Sequence, residues 1–235
     1  MRPSCTRMRQ RFFSNSNKDY IEKWQAATVK PNSFYEHHAT DKPKKYFYQI
    51  DLQGRVFLEE TLPKNIATSL KSPAFLDFFV SNLKECTVRD LALLPSDIHA
   101  DYPYVSHCGV ERNFVRPADA VIVFHSLDQC ASNNLQLHFG ATLRQRFDPS
   151  CLAISQRTGR LYHQLIGDGT TLHKQPGGYG LVKSSVAVAL SEQIVTSDDE
   201  HGSGMDFIVN GSRCSIPWLS DSAEPGPSSM PFIED

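Results

Sequence analysis

The sequence YPYVSHCGVERNFVRPADAVIVFH, residues 102–125, decides the architecture of this chain. Two apolar runs flank a short segment, residues 108–116, that combines a thiol, a carboxylate, two guanidinium groups and an amide. Short apolar runs bounded by turn residues are typical of buried strands, so these two runs predict two strands, the second over residues 120–127. We therefore expect a loop at residues 108–116 that is held between two core strands.

Three further pairs of segments are typical of β-hairpins, because a glycine separates two short runs rich in β-branched and aromatic residues. These pairs are centred on Gly54, Gly159 and Gly211, and an arginine directly follows each of the first two glycines. A helical pattern comes after each of the first two pairs. A duplicated hairpin–helix unit is one explanation, and a coincidence of ordinary turn chemistry is the other.

Helices are predicted where apolar residues recur at every third or fourth position. The first begins near Pro63 and the second at Pro73, since proline suits the first turn of a helix. The third covers residues 181–195, although the alternation of its apolar residues would also suit a strand. Antiparallel β-hairpins with helices in separate segments predict an α+β fold.

The first 13 residues contain four arginines and no acidic residue. Four apolar residues there fall on one face of a helix: Met1, Cys5, Met8 and Phe12. This composition is typical of a mitochondrial transit peptide, whereas a secretory signal needs a central apolar run. We predict import into the mitochondrial matrix and cleavage after Phe13, since Arg11-Phe12-Phe13-Ser14 resembles a matrix peptidase site. The alternative is a basic tail without a targeting role.

Composition divides the rest of the sequence into three parts. Residues 14–44 are polar and are predicted to be a linker. Residues 45–219 hold the predicted strands and helices and are expected to form a single α+β domain. Residues 220–235 are rich in proline, serine and acidic residues, which predicts a disordered tail.

The charge of the chain limits its partners. Without residues 1–13 the chain carries 20 basic and 26 acidic side chains. Nucleic acids and anionic lipids are bound mainly through lysine and arginine, so we do not expect them as partners. No apolar run is long enough to span a membrane. The six cysteines show no C-x-x-C pair and no spacing typical of metal ligands, so no metal site is predicted.

Cys108 is the first candidate for chemistry. A thiolate nucleophile needs a nearby base or positive charge, and Glu111 or a histidine could supply it. His107 is adjacent to Cys108, so on an extended strand the two side chains would point to opposite faces. The structural alternative is that Cys108 packs as a small apolar residue and that Glu111 pairs with an arginine to hold the loop.

Two segments are candidates for binding an anion. Arg112, Asn113 and Arg116 are clustered within the predicted loop of an acidic protein. Gly178 belongs to a glycine-rich stretch before the predicted helix 181–195, and Lys183 and Ser184 lie in the first turn of that helix, whose N-terminal N–H groups attract anions. This second segment is not a P-loop, because a valine precedes Lys183-Ser184 where that motif has glycine. A flexible loop leading into a helix is the alternative.

Four segments carry a family resemblance: YFYQIDLQGRVFLEE, PAFLDFFVSNL, CGVERNF and GLVKSSVAVALS. With them the chain resembles uncharacterised protein family 0598, whose animal members include mitochondrial proteins, over residues 46–218. The order of elements is also similar to that of the bacterial family of unknown function 1285. The resemblance implies a fold and a mitochondrial location, and it implies no activity.

The combined interpretation is a mitochondrial matrix protein that binds a small anionic ligand or a protein partner as an accessory module. One alternative is an enzyme that uses Cys108 as its nucleophile. Another is a structural subunit of a larger mitochondrial complex. The sequence identifies neither a cofactor nor a reaction.

Overall fold

The structure is a computed structural model that describes residues 43–129, 134–166, 178–199, 202–209 and 211–220. The predicted transit peptide, residues 14–42 of the predicted linker and residues 221–235 of the predicted tail lie outside the described residues. The described part is a mixture of helices and many strands, mostly in antiparallel pairs, which confirms the predicted α+β class.

The first five-stranded sheet contains β1 (Lys44–Ile50), β2 (Val56–Leu58), β3 (Leu83–Glu85), β4 (Tyr104–Cys108) and β5 (Glu111–Pro117). Its strand order is β2-β1-β5-β4-β3. Strand β1 pairs with β2 as the predicted hairpin, and Gly54 in the turn has a φ of 78°. The neighbouring strands β1 and β5 are parallel. The sequence predicts only antiparallel hairpins here, so this pair was not predicted.

The second five-stranded sheet contains β6 (Val123–Phe124), β10 (Leu152–Ser155), β11 (Leu161–Gln164), β12 (Tyr179–Val182) and β16 (Trp218–Leu219). Its strand order is β16-β10-β11-β12-β6, and both outer pairs are parallel. The predicted hairpin around Gly159 forms β10 and β11. A further strand, β12, separates this hairpin from the next helix, so the element order here differs from that of the first hairpin–helix segment.

Two smaller sheets are antiparallel meanders. One contains β7 (Ser126–Gln129), β8 (Leu135–Phe139) and β9 (Leu143–Arg146). The other contains β13 (Ile194–Asp199), β14 (Gly202–Val209) and β15 (Ser212–Ile216), and its second pair is the predicted hairpin around Gly211. The α-helices of the described residues are α1 (Pro73–Ser81), α2 (Val88–Leu91) and α3 (Ser184–Ser191). Among those residues no helix has the length and hydropathy needed to cross a membrane.

Helix α1 begins where the sequence predicts it. The Ser72 side chain accepts a hydrogen bond from the backbone N–H of Phe75, and Pro73 occupies the first turn. Phe79 is 1% exposed, and its ring centroid lies 5.0 Å from that of Tyr48 on β1. The apolar face of α1 therefore packs on the first sheet, and residues of both five-stranded sheets contribute to the same apolar cluster.

The prediction of a helix near Pro63 is wrong. The Asn65 side chain accepts hydrogen bonds from the backbone N–H groups of Ala67 and Thr68. The Thr68 hydroxyl donates to the carbonyl of Pro63, at 2.7 Å. These side-chain bonds compete with helical bonds and favour turns, so the segment stays irregular with Ile66 exposed.

The helix predicted at 181–195 is shorter than expected. Residues 181 and 182 belong to β12, because the backbone N–H of Leu181 donates to Ile122 and that of Lys183 donates to Phe124. Helix α3 occupies only Ser184–Ser191, and β13 begins at Ile194. The alternating residues Val186, Val188 and Leu190 lie in α3, where Val186 and Leu190 are buried and Val188 is 69% exposed, as helical spacing requires.

His163 on β11 is fully buried and serves as a structural polar group. Its Nε2 accepts a hydrogen bond from the backbone N–H of Asp148 at 3.0 Å, so Nδ1 carries the proton. Nδ1 then donates to the carbonyl of Gln164 at 2.7 Å. Burial lowers the pKa of His163 from its ordinary value of 6.5.

We expect stability to fall as the pH decreases below about 6.5, because the unfolded chain then takes up a proton that the folded His163 resists. Since the folded-state pKa lies below the unfolded one, this contribution is complete above that pH. Urea unfolding between pH 5 and 8 measures the slope, and His163→Gln should make it smaller. An identical slope in the two proteins would contradict this assignment.

Candidate functional site

The segment predicted as a loop at residues 108–116 is a hairpin with a two-residue turn. Strand β4 ends at Cys108, and β5 begins at Glu111, its direct partner across the strands. Gly109 in the turn has a φ of 57°, the left-handed region that glycine adopts without strain. The prediction of a loop is therefore wrong. The polar residues from 111 to 116 lie on β5, the middle strand of the first sheet.

Strand β5 divides its side chains between two faces of the sheet. One face, here called the Arg face, carries Arg112, Phe114 and Arg116. The other carries Asn113 and Val115, and Val115 belongs to the main apolar core. The two arginines predicted to bind a ligand therefore share a face, whereas Asn113 lies on the opposite one.

A buried carboxylate, Asp90 of α2, lies at the Arg112 end of this face. The His107 Nε2 atom lies 2.8 Å from Asp90 Oδ1, and the Arg112 Nε atom lies 3.6 Å from the same oxygen. Thr87, the N-cap of α2, donates its N–H and its hydroxyl to the other oxygen, at 3.0 and 2.7 Å. Asp90 is thus the residue around which the basic side chains at this end are arranged.

Two lysines on neighbouring strands add to the positive charge. Lys45 of β1 is the register partner of Arg112, and its Nζ donates to the carbonyl of Leu93 at 3.3 Å. Lys84 of β3 is close enough to influence the titration of His107. We call these five residues the Asp90 cluster: Lys45, Lys84, Asp90, His107 and Arg112.

The charge states of the cluster follow from its hydrogen bonds. Burial raises the pKa of Asp90, but the bonds from Thr87 and His107 outweigh this effect and lower that pKa below its ordinary value. Burial also lowers the pKa of His107, and the neighbouring Asp90 only partly opposes the shift. At neutral pH the cluster therefore holds an ionised Asp90, a mostly neutral His107 and three cations.

Arg116, at the other end of the Arg face, forms a buried ion pair with Glu59. The Arg116 guanidinium and the Gln49 amide both donate to Glu59 Oε1, the latter at 2.7 Å. The side chains of Glu59 and Arg116 are 5% and 13% exposed. The predicted pairing of Glu111 with an arginine is wrong, because the ion-pair partners of Arg112 and Arg116 are Asp90 and Glu59.

The second predicted anion segment does not come together as expected. Gly178 lies before β12, whereas Lys183 and Ser184 lie after it at the start of α3. A strand of four residues extends about 13 Å, so the glycine cannot join the same helix N-terminus. These residues flank β12 of the second sheet, whereas the Arg face belongs to the first sheet. The two predicted anion segments therefore lie on different sheets.

The thiol of Cys108 and the side chain of the adjacent His107 point to opposite faces of β4. Residues 104, 106 and 108 of β4 point to one face, and His107 points to the other, where it bonds Asp90. Glu111, the other candidate base, is the cross-strand partner of Cys108, but its negative charge disfavours a thiolate beside it. An enzyme that uses Cys108 stays a prediction, and graded labelling with iodoacetamide would test it.

Cys86 should resist labelling in the folded protein. Its thiol donates to the carbonyl of Tyr102 at 3.4 Å, and burial raises the pKa of Cys86 well above its ordinary value. Because the thiolate is the reactive form, we expect iodoacetamide at neutral pH to modify Cys86 only after unfolding. Mass spectrometry of the native and urea-unfolded protein measures this, and rapid native labelling would contradict the packing described.

Sequence reasoning missed three members of the Asp90 cluster: Lys45, Lys84 and Asp90. One signal for Asp90 was present, because Thr87-Val88-Arg89-Asp90 has the threonine and acidic residue of a capping box. Nothing local indicated the two lysines, since they reach the cluster only through strand pairing. Among the described residues, no group of three or more histidine, cysteine or acidic side chains could hold a metal ion.

A known protein family matches most of the sequence. Residues 37–218 match the family described as Domain of unknown function (DUF4505). The chain belongs to this family. The match covers β1 to the start of β16, so the DUF4505 region includes both the Asp90 cluster and the Glu59–Arg116 pair.

Two solved structures are similar to this DUF4505 chain. One is a DUF1285 family protein from Silicibacter pomeroyi DSS-3, with 16% identity over 84% of this chain and 93% of that one, at a TM-score of 0.42. The other is a DUF1285 family protein from Shewanella baltica OS155, with 15% identity over 62% of this chain and 90% of that one, at a TM-score of 0.37. Both belong to the second family that the sequence resembles.

Proposed function

We propose that this DUF4505 protein binds a small anion at the Asp90 cluster. The observation that carries the proposal is the excess of positive charge on one end of the Arg face. Arg112 lies beside the carboxylate of Asp90 there, Lys45 is the register partner of Arg112 on β1, and Lys84 lies near His107, in a chain whose other residues are acidic on balance. An excess of cations beside a partly buried surface attracts anions more strongly than isolated surface charges do.

Arg112 is held in a fixed orientation, which suits recognition. Its NH1 group donates to the carbonyls of Gly109 and Glu111, at 3.0 and 3.1 Å. The side chain stays 24% exposed, so a ligand can reach it. A planar guanidinium that is already ordered loses little entropy on binding a carboxylate or phosphate, and its NH2 group, which none of these contacts uses, can donate to the ligand.

A charge-removing variant tests the site. We expect inorganic phosphate to raise the melting temperature of the full chain at low salt in a saturable way. Arg112→Gln should weaken that binding about 10-fold or more, the loss expected for one charge-assisted contact. Arg213→Gln is the matched control, since Arg213 is 66% exposed on β15 and lies outside the cluster. Equal responses of the two variants would refute the proposal.

The mitochondrial matrix is the location that we propose for the mature chain, starting at residue 14. The arginine-rich, acid-free N-terminal segment and the resemblance to a family with mitochondrial members support it. Protein recovered from purified mitochondria should therefore begin at Ser14. A chain that still begins at Met1, or the absence of any mitochondrial pool, would contradict import with cleavage.

A further inference from the structure

Three buried side-chain atoms among the described residues have no hydrogen-bond partner: Glu59 Oε2, Ser106 Oγ and Arg116 Nε. Two of these atoms belong to one ion pair, that of Glu59 and Arg116. Buried polar groups in native proteins are almost always satisfied, so an acceptor and a donor that both lack a partner in the same pair can be satisfied together by one bridging group.

The geometry of the pair explains why both atoms are left over. Gln49 and Arg116 donate to the same carboxylate oxygen, Oε1 of Glu59. Arg116 uses its NH2 group for this bond, which leaves Nε without an acceptor. The Glu59 side chain is 5% exposed, so bulk water does not hydrate Oε2 freely. One acceptor and one donor therefore remain inside a nearly closed polar cluster.

We propose that a hydroxyl oxygen is bound between Glu59 Oε2 and Arg116 Nε. Such an oxygen donates its hydrogen to the carboxylate and accepts the Nε–H of the guanidinium, so it satisfies both atoms at once. It has two sources, an ordered water molecule or the alcohol group of a small polyol ligand. This site is distinct from the Asp90 cluster, because Arg112 and Arg116 are four residues, or about 13 Å, apart along β5.

The charges of Glu59 and Arg116 cancel each other, so the pair itself favours a neutral hydroxyl over an ion. The carboxylate of Glu59 would repel an anion, and the guanidinium of Arg116 would repel a cation. Lys64 adds a cation nearby, but its Nζ is directed at the backbone carbonyl of Glu59, to which it donates at 2.7 Å. The ring of Tyr102, 5.8 Å from the Arg116 guanidinium carbon, adds an apolar wall. A compact group with both a donor and an acceptor fits this environment.

A crystal structure of the full chain at high resolution tests the proposal, provided that no polyol is used in purification, crystallisation or freezing. We expect an oxygen within hydrogen-bond distance of both Glu59 Oε2 and Arg116 Nε. An isolated peak identifies water, and density that continues into a carbon skeleton identifies a retained ligand. The proposal is overturned if Arg116 Nε donates directly to Glu59 Oε2 and no oxygen lies between them.

Two variants and one added probe complete the test. Arg116→Lys keeps the charge but lacks Nε, so its crystal structure should lose the oxygen, whereas Arg112→Gln should retain it. Glycerol at millimolar concentration, added to the wild type, should give a saturable melting shift only if the site takes a polyol. An oxygen that persists unchanged in Arg116→Lys would show that Nε does not hold it and would refute the assignment.

Discussion

Replacing Arg160 with alanine should destabilise the folded protein by about 3–5 kcal/mol, the usual cost of leaving one partner of a buried ion pair alone. Arg160 follows the turn glycine of the second hairpin and pairs with Asp119. Their side chains are 15% and 4% exposed, so removal of the guanidinium would leave a carboxylate in the interior. The Tyr162 hydroxyl, which donates to Asp119 at 2.8 Å, cannot neutralise that charge.

Arg55→Ala is the matched control for this prediction, because Arg55 follows the turn glycine of the first hairpin. Arg55 pairs with Asp51, four residues earlier, and its side chain is 34% exposed. Partly exposed pairs of this kind contribute about 1 kcal/mol or less. Urea unfolding of both variants measures the difference. Similar losses in Arg55→Ala and Arg160→Ala would contradict the burial described for Asp119.

Phe79→Ala should also lower the free energy of unfolding by about 3–5 kcal/mol, because it removes a large side chain from a closely packed core. The Phe79 ring lies 5.4 Å from that of Phe75 and 5.0 Å from that of Tyr48. Its neighbour Phe78 is 48% exposed on the same helix. Phe78→Ala should therefore change the stability by about 1 kcal/mol or less.

Adjacent positions on one helix make this comparison sharp, since helix propensity and chain position are almost identical for the two variants. Thermal or urea unfolding followed by circular dichroism measures both. A larger loss for Phe78→Ala than for Phe79→Ala would mean that α1 packs with a different face on the first sheet. The assignment of the core around Tyr48 would then be wrong.

The local elements of the fold could be predicted from the sequence because their causes are local. The hairpin of β1 and β2 follows from alternation around Gly54, and helix α1 follows from a capping serine and a proline in its first turn. The prediction of a helix near Pro63 was wrong because hydrogen bonds of the Asn65 and Thr68 side chains to the nearby backbone replace helical ones. Apolar spacing alone does not report such competition.

The candidate site could be predicted only in part, because its contacts join distant parts of the chain. Glu111 to Arg116 resembles a polar loop in sequence, but the residues that accept the two guanidiniums lie elsewhere. Arg116 pairs with Glu59, 57 residues earlier, and Arg112 approaches Asp90 on a helix before β4. An interior strand of a sheet can carry charged side chains when oppositely charged residues from other elements cover one of its faces.

The most direct test of anion binding at the Asp90 cluster is a titration of the full-length protein with inorganic phosphate, followed by nuclear magnetic resonance. The Arg112 Nε–H and the His107 ring signals should shift together and saturate at one dissociation constant, while the Arg213 Nε–H signal should stay constant. Chloride at equal ionic strength is the control for screening. No saturable shift at Arg112, or equal shifts at Arg112 and Arg213, would contradict the account.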